Sequence, residues 1–360
     1  LFPDRRTARQ NRHVDRTKIP GTPMKIGFNM GVNPVDYGQS AVDEDDLVFA
    51  AQMGATHVVL QSYADQGIVP GDERWEYDDL LKLRKKVEDA GLVLEALENV
   101  PLKFYEQIIL GGPDRDRQIE NMVHTVRNIA RAGVPIFGYH WMPTLVWRTS
   151  HTTRIRSGAR VTSFDLEEAI RAPLLKERRY TEEEMWANLE DWIKIIVPVA
   201  EEEGIRIGIH PCDPPVEELE GIPQLFRSFD AYKRLINIVD SPSNCIEFCQ
   251  GTFSEMADAA GDGIYEMIEY FGERNKILYV HFRNVSGTVP SFQEEFINTG
   301  HVDMYRAMRT YKKVGFEGMF VDDHVPVVIG DSNWGHRGRA FANGYIQALI
   351  DVVKAEGTGA

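Results

Sequence analysis

Eight short runs of β-branched, aliphatic and aromatic residues recur along the chain, each followed by an amphipathic stretch of helical character. The runs are Lys25 to Met30, His57 to Ser62, Leu92 to Glu98, Ile136 to Met142, Ile205 to Pro211, Cys245 to Cys249, Ile277 to Phe282 and Gly318 to His324. Strands that read as nearly continuous apolar runs are buried on both faces, which is the habit of parallel sheets covered by helices. Eight such units close a barrel. The expected fold is therefore an α/β (β/α)8 TIM barrel, formed as one domain over residues 24–355.

The intervening segments carry helix punctuation. Helices are expected from Asp43 onward and over Tyr77 to Ala90, Asp114 to Ala132, Thr181 to Glu203, Ser228 to Val239, Ser254 to Phe271, Val302 to Val314 and Gly338 to Val353. Thr181 with Glu184 three residues on is a capping box, and Pro198 is expected to kink that helix near its end. Gly91, Gly133, Gly204 and Gly315 stand where a helix must turn into the next strand. One interval breaks the rhythm. From Pro143 to Tyr180 no strand is apparent, and an excursion of that length after the fourth strand reads as a lid or binding loop. It carries Arg148, His151, Arg154, Arg156 and Arg160, a local basic cluster able to hold an anionic ligand or, on the plainer reading, a solvated loop.

Composition narrows the function classes. Of 360 residues 43% are hydrophobic and 26% charged, ordinary globular values, and no apolar run reaches the roughly 18 residues of a membrane span. A formal charge of -15 opposes binding to phosphate backbones, so neither nucleic acid nor membrane is an expected partner. Three cysteines, Cys212, Cys245 and Cys249, fit a reducing compartment better than a disulfide scaffold. Residues 1–23 are Arg-rich without an apolar signal core, which reads as an N-terminal arm. Cytoplasmic residence follows as an expectation, with any segment preceding Leu1 and any homo-oligomer left open.

Chemistry in such barrels lies at the carboxyl ends of the strands. His210, Cys249, His281 and Asp323 end the last four runs, 39, 32 and 42 residues apart, about one βα unit each. Imidazole, thiolate and carboxylate are ligands of first-row divalent metals. Any one of them alone reads as a core residue; four at successive strand ends read as a metal site.

The segments ENVP at Glu98 to Pro101, HWMP at His140 to Pro143, IHPCDPP at Ile209 to Pro215, VDSPSN at Val239 to Asn244, HFRNV at His281 to Val285 and DDH at Asp322 to His324 resemble, in the same order, the signature blocks of the mannonate dehydratases. That resemblance covers residues 24–350 and implies a xylose-isomerase-like barrel that removes water from D-mannonate, a small anionic sugar substrate, to give 2-keto-3-deoxy-D-gluconate. It implies that His210, Cys249, His281 and Asp323 are manganese ligands, although a thiolate by itself favours softer ions and other divalent metals remain open. It implies that His324 is a catalytic acid/base and that Arg283 binds substrate. Asn284, His140, Trp141 and Glu98 are further pocket candidates from their places at or just past strand ends, with packing or structural roles as the plainer alternatives. Asp213 is read either as orienting His210 or as capping a turn.

The sequence also departs from the family pattern. An Asp-Trp-Thr-Arg-Thr block is replaced by Val146, Trp147, Arg148, Thr149 and Ser150, Val325 and Pro326 follow DDH in place of Gly, and Trp334 stands where a catalytic Tyr precedes Gly. An indole cannot replace a phenol in proton transfer, so His336 or Tyr345 becomes the candidate second group, with Arg148, Trp334 and His336 as substrate contacts. Metal-dependent dehydration of D-mannonate or a close analogue leads. An isomerase, epimerase or lyase acting on another sugar, or an inactive sugar-binding relative, is the alternative.

Overall fold

The computed structural model describes residues 24–31, 43–62 and 68–356; the arm expected at residues 1–23 lies outside them. Eight parallel strands close a barrel: β1 Lys25–Asn29, β2 His57–Gln61, β3 Val93–Glu98, β4 Ile136–His140, β5 Arg206–His210, β6 Asn244–Cys249, β7 Ile277–His281 and β8 Met319–Val321. Neighbours follow chain order, and β1 closes on β8 with Lys25 opposite Met319. Each apolar run of the sequence thus becomes a barrel strand, within one or two residues at most ends.

Side chains alternate along a strand, so residues two apart share the barrel interior. Val59, Ala96, Ile136, Cys245, Leu278, Tyr279, Met319 and Val321 form a packed cluster within the ring, making a core rather than a pore. Gly138 leaves room for polar side chains in the same interior, since a Cβ there would fall 2.4 Å from the Tyr279 hydroxyl and 2.5 Å from a Glu247 carboxylate oxygen. Register then levels the upper ends: His140 lies opposite His210 and Cys249 opposite His281.

The outer helices form largely where the sequence places them. The Thr181 and Glu184 capping box is present, and the helix Glu182–Glu203 runs on past Pro198 to Gly204, whose φ is +70°. The helix expected over Ser254 to Phe271 instead breaks into Gln250–Glu255 and Gly263–Glu273. Gly261 has φ +64° between them.

The excursion is not strandless. Ser150–Ile155 and Ala159–Asp165 form an antiparallel pair, extended by Ser291–Gln293 into a three-stranded sheet. Strand Ser150–Ile155 reads SHTTRI, polar and β-branched, so it lacks the apolar run that marks the barrel strands. Its sheet rests on a separate apolar cluster of Phe164, Ala169, Val216, Leu219, Val285 and Phe292.

Candidate active site

At the carboxyl ends of β5, β6 and β7, ligand atoms of His210, Cys249 and His281 lie within 4.8 Å of one another, all three residues buried. Asp323, two residues past β8, places Oδ2 3.7 Å from Cys249 Sγ and 3.7 Å from His281 Nδ1. The strand-end spacing therefore brings together the residues it was read to bring together.

The rings are set for ligation. His210 Nδ1 lies 2.7 Å from the Pro211 carbonyl oxygen, which can only accept, so Nδ1 carries the proton and Nε2 is left for a ligand. His281 is held the opposite way round: Nε2 lies 2.9 Å from Glu98 Oε2, and the buried Nδ1 has no hydrogen-bond partner. An imidazole whose outer nitrogen donates to a carboxylate while its inner nitrogen is left unsatisfied is the usual arrangement around a bound metal. Glu98 also accepts from the Tyr279 hydroxyl at 3.2 Å and from the Gln61 amide, so its carboxylate is spent on orienting His281 and its neighbours.

Charge in the cluster points the same way. Burial opposes ionisation of the Cys249 thiol, yet Arg283 and His210 outweigh it and bring it down to about 5. Burial also opposes charge on His210, but the Cys249 thiolate and Glu247 lift it to about 10. Asp323 is held ionised against its burial by His324, His281 and Arg283. A cluster that gathers protons on buried imidazoles beside a thiolate and a carboxylate is one in which a divalent cation can replace those protons.

His324 follows Asp323, with Nδ1 2.8 Å from Glu294 Oε1 and Nε2 3.8 Å from Asp323 Oδ1. Around it lies a buried ionic network. All five N–H donors of Arg283 are used: Nε on Asp323, Nη1 on Glu255 and Glu294, and Nη2 on Asp213 and Thr252. Arg148 is equally committed, to Thr162, the Trp147 carbonyl, both oxygens of Asp213 and Glu294. Neither guanidinium has a donor left for substrate, so both support the site from within. Asn284 likewise spends its amide on backbone groups of Ile297, Val302 and Val285. Asp213 serves the two arginines, and the Pro211 carbonyl has the part of orienting His210.

His140 is buried with Nδ1 3.2 Å from the Tyr105 hydroxyl, and burial together with His210 lowers it to about 3, which keeps it neutral. Trp141 is buried with its indole N–H unpartnered. Trp334 donates its N–H to the Gly31 carbonyl at 3.0 Å and packs against Phe28 and Phe49. His336 lies 3.0 Å from Asp46. These two brace β1 and the helix Glu44–Gln52, and no described contact joins either to the ligand cluster. Tyr345 sits half-buried on the helix His336–Ala355.

Sequence reading missed Glu247 and Glu294. Counting back two residues from Cys249 along β6 would have found Glu247, which is buried with no hydrogen bond to either carboxylate oxygen, has Oε1 3.5 Å from His281 Nε2, and is pushed well up by burial and by Glu98. Glu294 follows the excursion strand Ser291–Gln293 rather than a barrel strand and has no such signal.

The family model for D-mannonate dehydratase (UxuA) matches residues 30–177 and 168–358. The mannonate dehydratase of Thermotoga maritima is 31% identical over 79% of this chain and 88% of its own length. Mannonate dehydratase 2 of Halalkalibacterium halodurans is 32% identical over 76% and 84%. The crystal structure of mannonate dehydratase from Streptococcus suis serotype 2 superposes with a TM-score of 0.82 at 29% identity, covering 94% of this chain and 95% of that one. L-ribulose 3-epimerase, with a TM-score of 0.59 at 14% identity over 94% and 98%, shares the fold alone.

Proposed function

Because the chain belongs to the D-mannonate dehydratase family, we propose that it is a hydro-lyase removing water from D-mannonate, or a close analogue, to give 2-keto-3-deoxy-D-gluconate. The observation that carries the reading is the convergence of His210, Cys249 and His281, with Asp323 beside them, each imidazole leaving one nitrogen free toward the others. These four would hold a divalent ion, Mn²⁺ first among the candidates. Residues 24–355 would form the single catalytic domain. No described helix is long and apolar enough to cross a membrane.

Dehydration breaks the C2–H bond next to a carboxylate and the C3–O bond beside it; the proton and hydroxide released sum to the water lost. When bound, the ion supplies a Lewis acid that stabilises charge developing on the substrate's carboxylate. His324, adjoining Asp323 and partly exposed, moves the C2 proton. Asp323 is tied by Arg283 Nε at 2.8 Å, which holds its carboxylate in place. Glu98 fixes His281, and neutral His140 and Trp141 line the wall at the end of β4.

The test is turnover of D-mannonate by Mn²⁺-loaded protein, with the product identified by NMR. Formation of 2-keto-3-deoxy-D-gluconate, lost on chelation and restored by Mn²⁺, is expected. A ketose or epimer formed from a panel of sugars, with D-mannonate untouched, would replace the dehydratase reading by an isomerase or epimerase.

A further inference from the structure

Glu294 belongs to the segment that carries strand Ser291–Gln293, and its backbone N–H donates to the Thr162 carbonyl at 3.0 Å. The excursion sheet thereby fixes where its side chain sits. Both carboxylate oxygens are claimed: Oε2 accepts from Arg283 Nη1 at 2.9 Å, and Oε1 accepts from Arg148 Nη2 at 2.8 Å. The same Oε1 lies 2.8 Å from His324 Nδ1.

Two guanidiniums pressed on a buried carboxylate keep it ionised, and an ionised carboxylate can only accept. Burial opposes that charge, but Arg283, the hydrogen bond from His324, and Arg148 hold Glu294 below its ordinary value. His324 Nδ1 must then be the donor. In a neutral imidazole the other nitrogen carries the lone pair, and here that nitrogen, Nε2, is the one on the Asp323 side.

We propose that Glu294 is the positioning residue of the proton-transfer step: it fixes His324 as the Nδ1–H tautomer and turns the Nε2 lone pair toward the ligand cluster. The proton on Nδ1 follows from the network alone, whereas its catalytic consequence rests on the dehydratase reading. Arg148 and Arg283, read from the sequence as substrate contacts, are in this account the clamps on Glu294. The excursion acts as its scaffold.

The first measurement needs no variant. In protein loaded with diamagnetic Zn²⁺ and labelled with ¹⁵N-histidine, long-range ¹H–¹⁵N correlation should show a proton on His324 Nδ1. An Nε2–H tautomer overturns the proposal whatever the enzyme turns over. The second is a double-mutant cycle with Mn²⁺-loaded enzyme. Glu294→Gln keeps the shape and should keep bound metal, lower kcat by on the order of 10- to 10²-fold and leave KM within about threefold. In the His324→Asn background the same substitution should cost less than about threefold, because the residue it acts through is gone. An equal loss in both backgrounds would assign Glu294 a general structural role and overturn the proposal. Should wild-type protein fail to turn over D-mannonate, the dehydratase reading falls and the tautomer measurement still decides the role of Glu294.

Discussion

Glu98→Gln isolates the contribution of a single charge to metal affinity. Glu98 is 2% exposed, is held ionised against its burial chiefly by His281, and lies 2.9 Å from His281 Nε2. The amide is nearly isosteric. Its oxygen must take the Oε2 position, which accepts from both His281 and Tyr279, so its NH2 replaces Oε1 and faces Gln61, whose amide can flip to receive it. Geometry survives and charge is lost. A hydrogen bond to a charged group contributes about 1.5–3 kcal/mol and a neutral one about 0.5–1.5, a difference of about 1–1.5 kcal/mol. At about 1.4 kcal/mol per tenfold, Mn²⁺ or Zn²⁺ should bind about 5- to 12-fold more weakly, at or just below the lower end of the roughly 10- to 100-fold usual for residues that orient metal ligands. Chelator competition measures the affinity. Glu95→Gln is the control, since Glu95 lies on the same strand but pairs with Lys25 at 2.6 Å. An unchanged affinity for Glu98→Gln, or an equal fall for Glu95→Gln, would refute the reasoning.

Replacing Arg148 by Met should destabilise the fold by about 3–5 kcal/mol, because it leaves Arg283 as the one guanidinium balancing the buried carboxylates of Asp213 and Glu294; a stable variant whose only defect is a raised KM would restore Arg148 as a substrate contact. In metal-free protein, thiolate absorbance near 240 nm should rise with a midpoint close to pH 5 and vanish in Cys249→Ala, since Cys249 is brought to about 5 whereas burial pushes Cys212 to about 12 and raises Cys245. Trp141→Phe keeps the ring and removes a buried, unpartnered N–H; if that donor meets substrate, KM should rise about 2- to 12-fold for a neutral hydrogen bond, and an unchanged KM would leave Trp141 a packing residue.

The barrel was legible because its signal is local. A strand buried on both faces must be apolar along its length, and a helix that hands over to it commonly ends on a glycine, so IRIGIH preceded by Gly204 marks β5 without any knowledge of its neighbours. The convergence of the candidate ligands was legible for a related reason: parallel strands of equal role end at one level, so polar residues closing successive runs come together. The excursion strands lacked this signal. Ser150–Ile155 is polar on both sides of its pleat and owes its pairing to Ala159–Asp165, which in turn is joined by Ser291–Gln293 from far along the chain.

What no local pattern can show is which charges are already spent. Arg148 looked free in a basic stretch of an acidic protein, yet its acceptors come from positions 213 and 294, and those of Arg283 from 213, 255, 294 and 323. With both guanidiniums saturated, neither is free to meet an arriving carboxylate, and on the proposed function that part would fall to the ligand cluster and to neutral donors. That division of labour gives the altered block after β4 a physical meaning. Substituting residues 146–150 changes the wall that clamps Asp213 and Glu294, and through Glu294 the setting of His324, while leaving His210, Cys249 and His281 in place. On the proposed function, changes in this block would act on how His324 is held rather than on the cluster of His210, Cys249 and His281, which sits on separate strands.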